Sequence, residues 1–198
     1  NIDIHTRTAA QIFHVPLDQV DSELRRRAKA VNFGIIYGIS DFGLSRDTGV
    51  SRKEARRYID NYLDSYPGVK QYMEDIVKFG QQHGYVETYL KRRRYLPDLN
   101  AKNKMRMALN TPIQGTSADI IKLAMIKVFD QLKERELQAK LLLQVHDELV
   151  LEVPLNEVDE VAELLKDCME NACVLKVPLE VSLNIGRNWY DMVDYCLS

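Results

Sequence analysis

Arg25, Lys29, Phe33 and Tyr37 recur every four residues in a stretch, residues 25–38, that holds nothing to stop a helix before Gly38. Residues four apart on a helix share one face, so these side chains form a single stripe running from two cations to two aromatic rings. Guanidinium and ammonium groups neutralise the oxygens of a polyphosphate. Flat rings offer stacking surface to a base or sugar. The stripe therefore has the length and chemistry of a nucleoside triphosphate. A second chemical cluster lies at His146, Asp147 and Glu148, where apolar β-forming runs on either side read as a hairpin with these three residues at its tip. Adjacent carboxylates repel each other unless a cation is near, and hard oxygen donors suit magnesium.

Each pattern has a plainer explanation. Arg and Lys on a helix commonly form a solvated face, and Phe or Tyr at helical spacing commonly form core. An ordinary exposed polar turn accounts equally for residues 146–148. Two features favour the nucleotide reading for the first stripe. Cations and rings occupy one face, where a simple amphipathic helix places them on opposite faces. Gly34 and Gly38 also remove side chains beside that face, which permits close approach. For the hairpin, the turn lacks the Gly or Asn that tight turns favour, and its strands read as buried.

Arg-x-x-x-Lys-x-x-x-Phe-x-x-x-Tyr-Gly resembles the fingers-helix motif of family A DNA polymerases, the bacterial DNA polymerase I group, from Arg25 to Ser40. Val145-His146-Asp147-Glu148 is similar to the catalytic hairpin motif of the same family. Gly186 to Asp191 resembles its C-terminal ending, so the likeness extends from Asp3 to Asp191. The resemblance implies an α+β, predominantly helical fold, with fingers helices over residues 1–110 and the C-terminal part of an antiparallel palm sheet over 111–198. It implies template-directed addition of deoxynucleotides to a primer 3′-hydroxyl, with release of pyrophosphate. Asp147 and Glu148 would hold metal, with two Mg2+ ions in the complete enzyme and Mn2+ able to substitute. His5, Arg25, Lys29, Phe33 and Tyr37 would bind the incoming triphosphate, and Lys29 would also act in catalysis. Tyr37, Gly38, Ser40, Arg106, Asn110, Gln114 and His146 would contact template or primer. Outside the resemblance, His5 alone reads as structural, and Asn110 equally as a local cap.

The elements that must position these groups follow from local signals. Residues 3–13 read as a helix, with Pro16 in the break after it. Asp21 or Ser22 is the N-cap expected for the helix of the stripe. Residues 40–43 read as a turn, and Ser51 to Glu54 as a capping box opening another helix. Pro67-Gly68 interrupts it, and a helix continues from Val69 to about Gln82, closed by Gly84. Tyr58, Tyr62, Tyr66 and Tyr72 read as packing residues. A hairpin is expected from Tyr85 to Asp98 around four consecutive cations, Lys91 to Arg94, which form a solvated turn or touch template phosphate. Residues 111–115 read as a loop before an amphipathic helix from Thr116 to about Arg135. After the 141–153 hairpin come a helix over 156–172 and a strand near 179–184. Between Asp98 and Asn110 the chain is shorter than the family pattern.

The 198 residues are 45% hydrophobic and 28% charged, as in a folded globular protein. The net charge is −2, but residues 1–110 hold 19 Lys+Arg against 13 Asp+Glu, and the remainder carries a net −8. A basic first part suits a phosphate backbone, and an acidic second part suits metal. Cys168, Cys173 and Cys196 lack zinc-type spacing, which points to a reducing cytoplasm. No apolar run reaches membrane-spanning length, so no membrane partner is expected. The chain begins with Asn and holds no Asp-x-Ser-x-x-Glu-like strand, the family's first carboxylate motif. It reads as a piece of a longer polymerase whose upstream part it needs, and as inactive alone. Its expected partners are primer-template DNA, deoxynucleoside triphosphates and that upstream remainder. Alternative readings are a non-catalytic nucleic-acid or nucleotide-binding module, a metal-dependent nuclease or phosphatase using Asp147 and Glu148, and a relative of single-subunit RNA polymerases.

Overall fold

The computed structural model describes residues 3–97, 99 and 102–197, with the side chains of 102 and 103 left aside. Asp98, expected to close the first hairpin, and part of the shortened 98–110 stretch lie outside the described residues. The chain divides into two compact units, Asn1–Ile113 and Gln114–Ser198. Helix α6 (Lys102–Glu134) contributes its first turns to one and the remainder to the other.

The first unit is helical apart from one hairpin. Helix α1 (Ile4–Phe13) is capped by the Asp3 carboxylate, which accepts from the Thr6 amide. Helix α2 (Ser22–Ile36) is capped in the same way by Asp21, accepting from Leu24 at 2.7 Å. Such caps satisfy amides left over at a helix start and are each worth about 1 kcal/mol. Residues 40–43, read from sequence as a turn, open a further helix, α3 (Asp41–Thr48), with Ser40 as its N-cap. Only eight residues long, α3 carries too few periodic positions to stand out in sequence. Helix α4 (Arg52–Ser65) begins with the expected capping box, and α5 (Pro67–His83) starts with proline at its first position, where no amide is needed.

Ile12, Val31, Ile35, Leu44, Tyr58 and Tyr62 form one core, confirming the packing role of the last two. Strands β1 (Tyr85–Glu87) and β2 (Arg93–Tyr95) pair antiparallel and cover a smaller core of Val86, Leu96, Leu99 and Ala108. Glu87 lies 3.3 Å from Lys91 and 3.0 Å from Arg93, so these two turn cations are locally paired.

The second unit holds the rest of α6, a hairpin of β3 (Lys140–Val145) and β4 (Glu148–Glu152), helix α7 (Val158–Glu170) and a small hairpin of β5 (Leu183–Ile185) and β6 (Val193–Tyr195). Val128, Leu132, Val161, Leu164 and Cys168 are its core. Strand β5 is shorter and later than the 179–184 expected, and α7 starts after a 3-10 turn at Leu155–Glu157.

Two expectations are corrected. Residues 111–115 are not a loop: α6 runs unbroken through Pro112 and Gly115. Proline supplies no amide to the Ala108 carbonyl, and the helix nevertheless continues, with buried residues before the break (Ala108, Leu109) and after it (Ile121, Ala124). The strands of β3–β4 are also not fully buried. Leu142 and Leu143, where the β3–β4 register shifts, are about half exposed.

Candidate functional site

Helix α2 buries Ala28, Val31, Asn32 and Ile35. The positions between them, including Arg25, Lys29 and Phe33, are therefore left on the exposed side. Phe33 is 42% exposed although it belongs to a helix with a well-filled inner face. Its ring stacks near Tyr37, centroids 6.1 Å apart, and the Lys29 ammonium lies 5.9 Å from its centre. Arg25, Lys29 and Phe33 thus form an exposed edge of cation, cation and ring, with the half-buried Tyr37 ring at its end.

Two further residues complete this edge. His5 of α1 lies 5.9 Å from the Phe33 ring, so a residue twenty positions before Arg25 joins the stripe. Asp3, the α1 cap, also takes the Arg25 guanidinium in a two-pronged pair at 3.0 and 3.2 Å. The Thr6 amide first, and then the Arg25 guanidinium, pull the Asp3 carboxyl down to about 2 against the opposing effect of burial. Asp3 fixes the direction in which Arg25 extends, and it holds a charge that a phosphate could replace. Sequence reading missed this role, although Asp-x-x-Thr before an apolar run is a cap signal. Burial lowers the His5 pKa, as do Arg25 and Lys29, while Asp3 opposes them.

At the end of α2 the chain must turn sharply. Gly38 has φ +74°, and a Cβ there would stand 2.9 Å from the Leu109 side chain. Only glycine fits both the conformation and the space. The Arg106 guanidinium reaches the Tyr37 carbonyl at 3.5 Å, so Tyr37, Gly38 and Arg106 are gathered at one corner of the first unit. Ser40 follows directly, its hydroxyl committed to the α3 cap. Since α6 is continuous, Arg106, Asn110 and Gln114 share one helix face, with Arg106 and Gln114 exposed and the Asn110 Oδ1 buried without a partner.

In the second unit, β3 and β4 are joined by a two-residue turn, His146-Asp147, with Glu148 opposite Val145 as the first residue of β4. His146 takes φ +54°, a left-handed conformation that costs a residue with a side chain some energy. The Gln144 side chain donates to the His146 carbonyl at 2.7 Å and steadies the turn. The start of β3 is anchored by Glu157, whose carboxylate accepts from the amides of Gln138 and Ala139. Asp147 and Glu148 are exposed, and among the described residues neither carboxylate has a hydrogen-bond or ion-pair partner. Beside them lies a groove of about 530 Å³ within this unit, walled by β4, α7 and residues 180–186.

The donor chemistry fits a hard divalent cation: two uncommitted carboxylates at a turn held by hydrogen bonds from both sides. Among the described residues no group of three or more His, Cys, Asp or Glu gathers as a metal site, so these two supply only part of a coordination shell. No helix among the described residues is long and apolar enough to cross a membrane.

Comparison with known proteins gives a consistent result. The chain is 55% identical over 197 residues to DNA polymerase I of Bacillus caldotenax and 54% identical to that of Bacillus subtilis. Each alignment takes in 96% of this chain but 22% of the relative, so the chain spans about a fifth of the length of the curated relatives it matches. Among solved structures it is similar to the POL domain of Pol1 from M. smegmatis in complex with DNA primer-template and dNTP. The TM-score there is 0.89 with 45% identity, over 94% of this chain and 34% of that one. The profile for DNA polymerase family A matches residues 1–191, which takes in both the α2 edge and the hairpin tip: this chain belongs to DNA polymerase family A.

Proposed function

We propose that this chain is the nucleotide-binding and metal-binding part of a template-directed DNA polymerase that extends a primer 3′-hydroxyl with deoxynucleotides. The observation that carries the reading is the exposed Arg25–Lys29–Phe33 edge, ending in the half-buried Tyr37 ring, on a helix whose opposite face is buried. Primer-template DNA and a deoxynucleoside triphosphate are the proposed partners, as in the complex with the similar Pol1 domain. The enzyme acts in the cytoplasm, consistent with three free cysteines.

In this proposal Arg25, Lys29 and His5 hold the triphosphate oxygens, and Arg25 exchanges its Asp3 carboxylate for phosphate. The primer oxygen forms a bond to the α-phosphorus while the bond to the β-phosphate oxygen breaks. Lys29 stabilises the charge gathering on the leaving pyrophosphate and gives it a proton. Phe33 lies against the incoming sugar and base. Tyr37 stacks beside the templating base, and Gly38 lets the chain turn away at once. Arg106, Asn110 and Gln114 follow the duplex along one face of α6, with Ser40 and His146 as further contacts. Asp147 and Glu148 hold Mg2+, or Mn2+ in its place, which when bound supplies neutralising charge and activation of the attacking hydroxyl.

Two metal ions need more carboxylate than this pair provides, so the upstream part of the polymerase is a proposed partner and the chain alone is inactive. Primer extension measured with the purified chain, and with the complete enzyme carrying Lys29→Ala, tests the reading. Extension by the chain alone would refute its dependence on upstream residues. Unaltered single-turnover chemistry in Lys29→Ala would refute the proton-donor role.

A further inference from the structure

Where α1 crosses α2, the apolar seam contains one amide. Asn32 is 2% exposed, and its Nδ2 lies 2.9 Å from Nδ1 of His5. Its Oδ1 is buried with no partner. Burying a polar group with half its capacity unused costs stability, and a leucine at the same place would not carry that cost. The amide is therefore an expensive choice for packing alone, and its one partner is the histidine of the triphosphate edge.

We propose that Asn32 is a positioning residue that decides which nitrogen of His5 carries the proton, leaving Nε2–H as the donor offered to a phosphate oxygen. The inference rests on the nucleotide reading above. With neutral imidazole, the amide N–H donates to the Nδ1 lone pair, so the ring proton must reside on Nε2. With charged imidazole, a half-turn of the amide brings the idle Oδ1 to Nδ1–H, and Nε2–H remains the outward donor. An amide serves both states because it carries a donor and an acceptor, and an aliphatic side chain serves neither.

The groups facing His5 are Asp3 at the cap of α1 and Arg25 and Lys29 on α2, together with the Phe33 ring. Burial and the two cations favour the neutral ring against Asp3, so the neutral arrangement is the one a nucleotide meets near neutral pH. A partner on the far nitrogen of a functional histidine is a recurrent way to fix its tautomer.

The test is nitrogen-15 NMR of the chain with labelled histidine, the four imidazoles being assigned with a His5→Gln variant. At pH about 8, above the ordinary imidazole titration, His5 is expected as the Nε2–H tautomer. In Asn32→Leu it is expected as a mixture of both tautomers. An Nδ1–H tautomer in the unaltered chain, or an unchanged ratio in Asn32→Leu, would overturn the proposal, and the first measurement needs no variant to fold. In the complete enzyme, Asn32→Leu is expected to raise KM for dNTP about twofold, because a tautomer mixture leaves only a fraction of the sites with the outward donor. An unchanged KM would overturn the positioning role. Adding dATP to the unaltered chain separates the two readings. A shift of the His5 Nε2 signal supports both, and no shift beside the stated tautomer overturns the nucleotide site on which the positioning role depends.

Discussion

The α2 edge and the β3–β4 tip carry the same kind of asset, charged side chains facing solvent, on very different foundations. Behind the α2 edge lies a filled core, two carboxylate caps, and partners for individual functional groups: Asp3 for Arg25, Asn32 for His5, Leu109 against Gly38. Behind the hairpin tip lies a two-stranded sheet with half-exposed leucines, a left-handed histidine, and two carboxylates that touch no partner among the described residues. The side chains of the first region are held in place by residues close to it in its own unit. The second is a turn whose charges are held apart from counter-charge and depend on something added. A binding edge can be preorganised by packing. A pair of like charges is preorganised only at an energetic cost that a cation offsets.

The largest expected effect separates the regions by chemistry. In the complete enzyme, Asp147→Ala should lower single-turnover extension on the order of 10³-fold with little change in nucleotide affinity, because it removes charge stabilisation at the reacting centre. A loss confined to nucleotide affinity would place Asp147 away from the reaction. Lys29→Ala should cost on the order of 10²-fold, the usual scale of a lost general acid, and shift the dependence on triphosphate as well.

Stability should contrast the foundations. Ile35→Ala, at a 2% exposed site, should cost about 2–5 kcal/mol in denaturant unfolding. Leu143→Ala, at a 49% exposed site, should cost under about 1 kcal/mol. Equal losses would mean that the hairpin is packed as tightly as the helix. Acid should weaken the first unit as a whole, since Asp41, Glu54 and Glu87 are lowered along with the groups of the α2 region. Asp3 titrates near 2 in the folded chain, below an ordinary aspartate, and His5 is also depressed, so the unfolded chain binds more protons. Their contribution is present above the unfolded values and is lost as pH falls, first below about 6.5 for His5 and then from about 4 towards 2 for Asp3. Asp3→Asn should flatten the lower part of that profile. The smallest effect, about 1 kcal/mol, is expected for Ser51→Ala, which removes one side of the α4 capping box.

Local signals were legible wherever a residue acts on its own neighbours. Asp21 and Ser51 cap helices because their side chains reach amides three residues on. Gly84 ends α5 at φ +75°, and the tyrosines of α4 face inward by helical spacing. The failures occurred where distant contacts overrode such signals. Pro112-Ile113-Gln114-Gly115 reads as a break, yet α6 continues through it because buried positions on both sides, from Ala108 to Val128, hold the helix. The apolar run in β3 predicts burial, but burial depends on what covers a sheet, which no strand encodes by itself.

Sequence by itself determined that Arg25, Lys29, Phe33 and Tyr37 share a face and that Asp147 and Glu148 meet at a turn, because helix and hairpin periodicity follow from local backbone geometry. Only the tertiary structure decided that the cation-and-ring face is the exposed one, that Asp3 and Arg25 pair across 22 positions, and that Asn32 lies against His5. Those facts come from the packing of α1 on α2. A contact between residues far apart in the chain is selected by the whole set of surfaces that fit together, and no single stretch contains it.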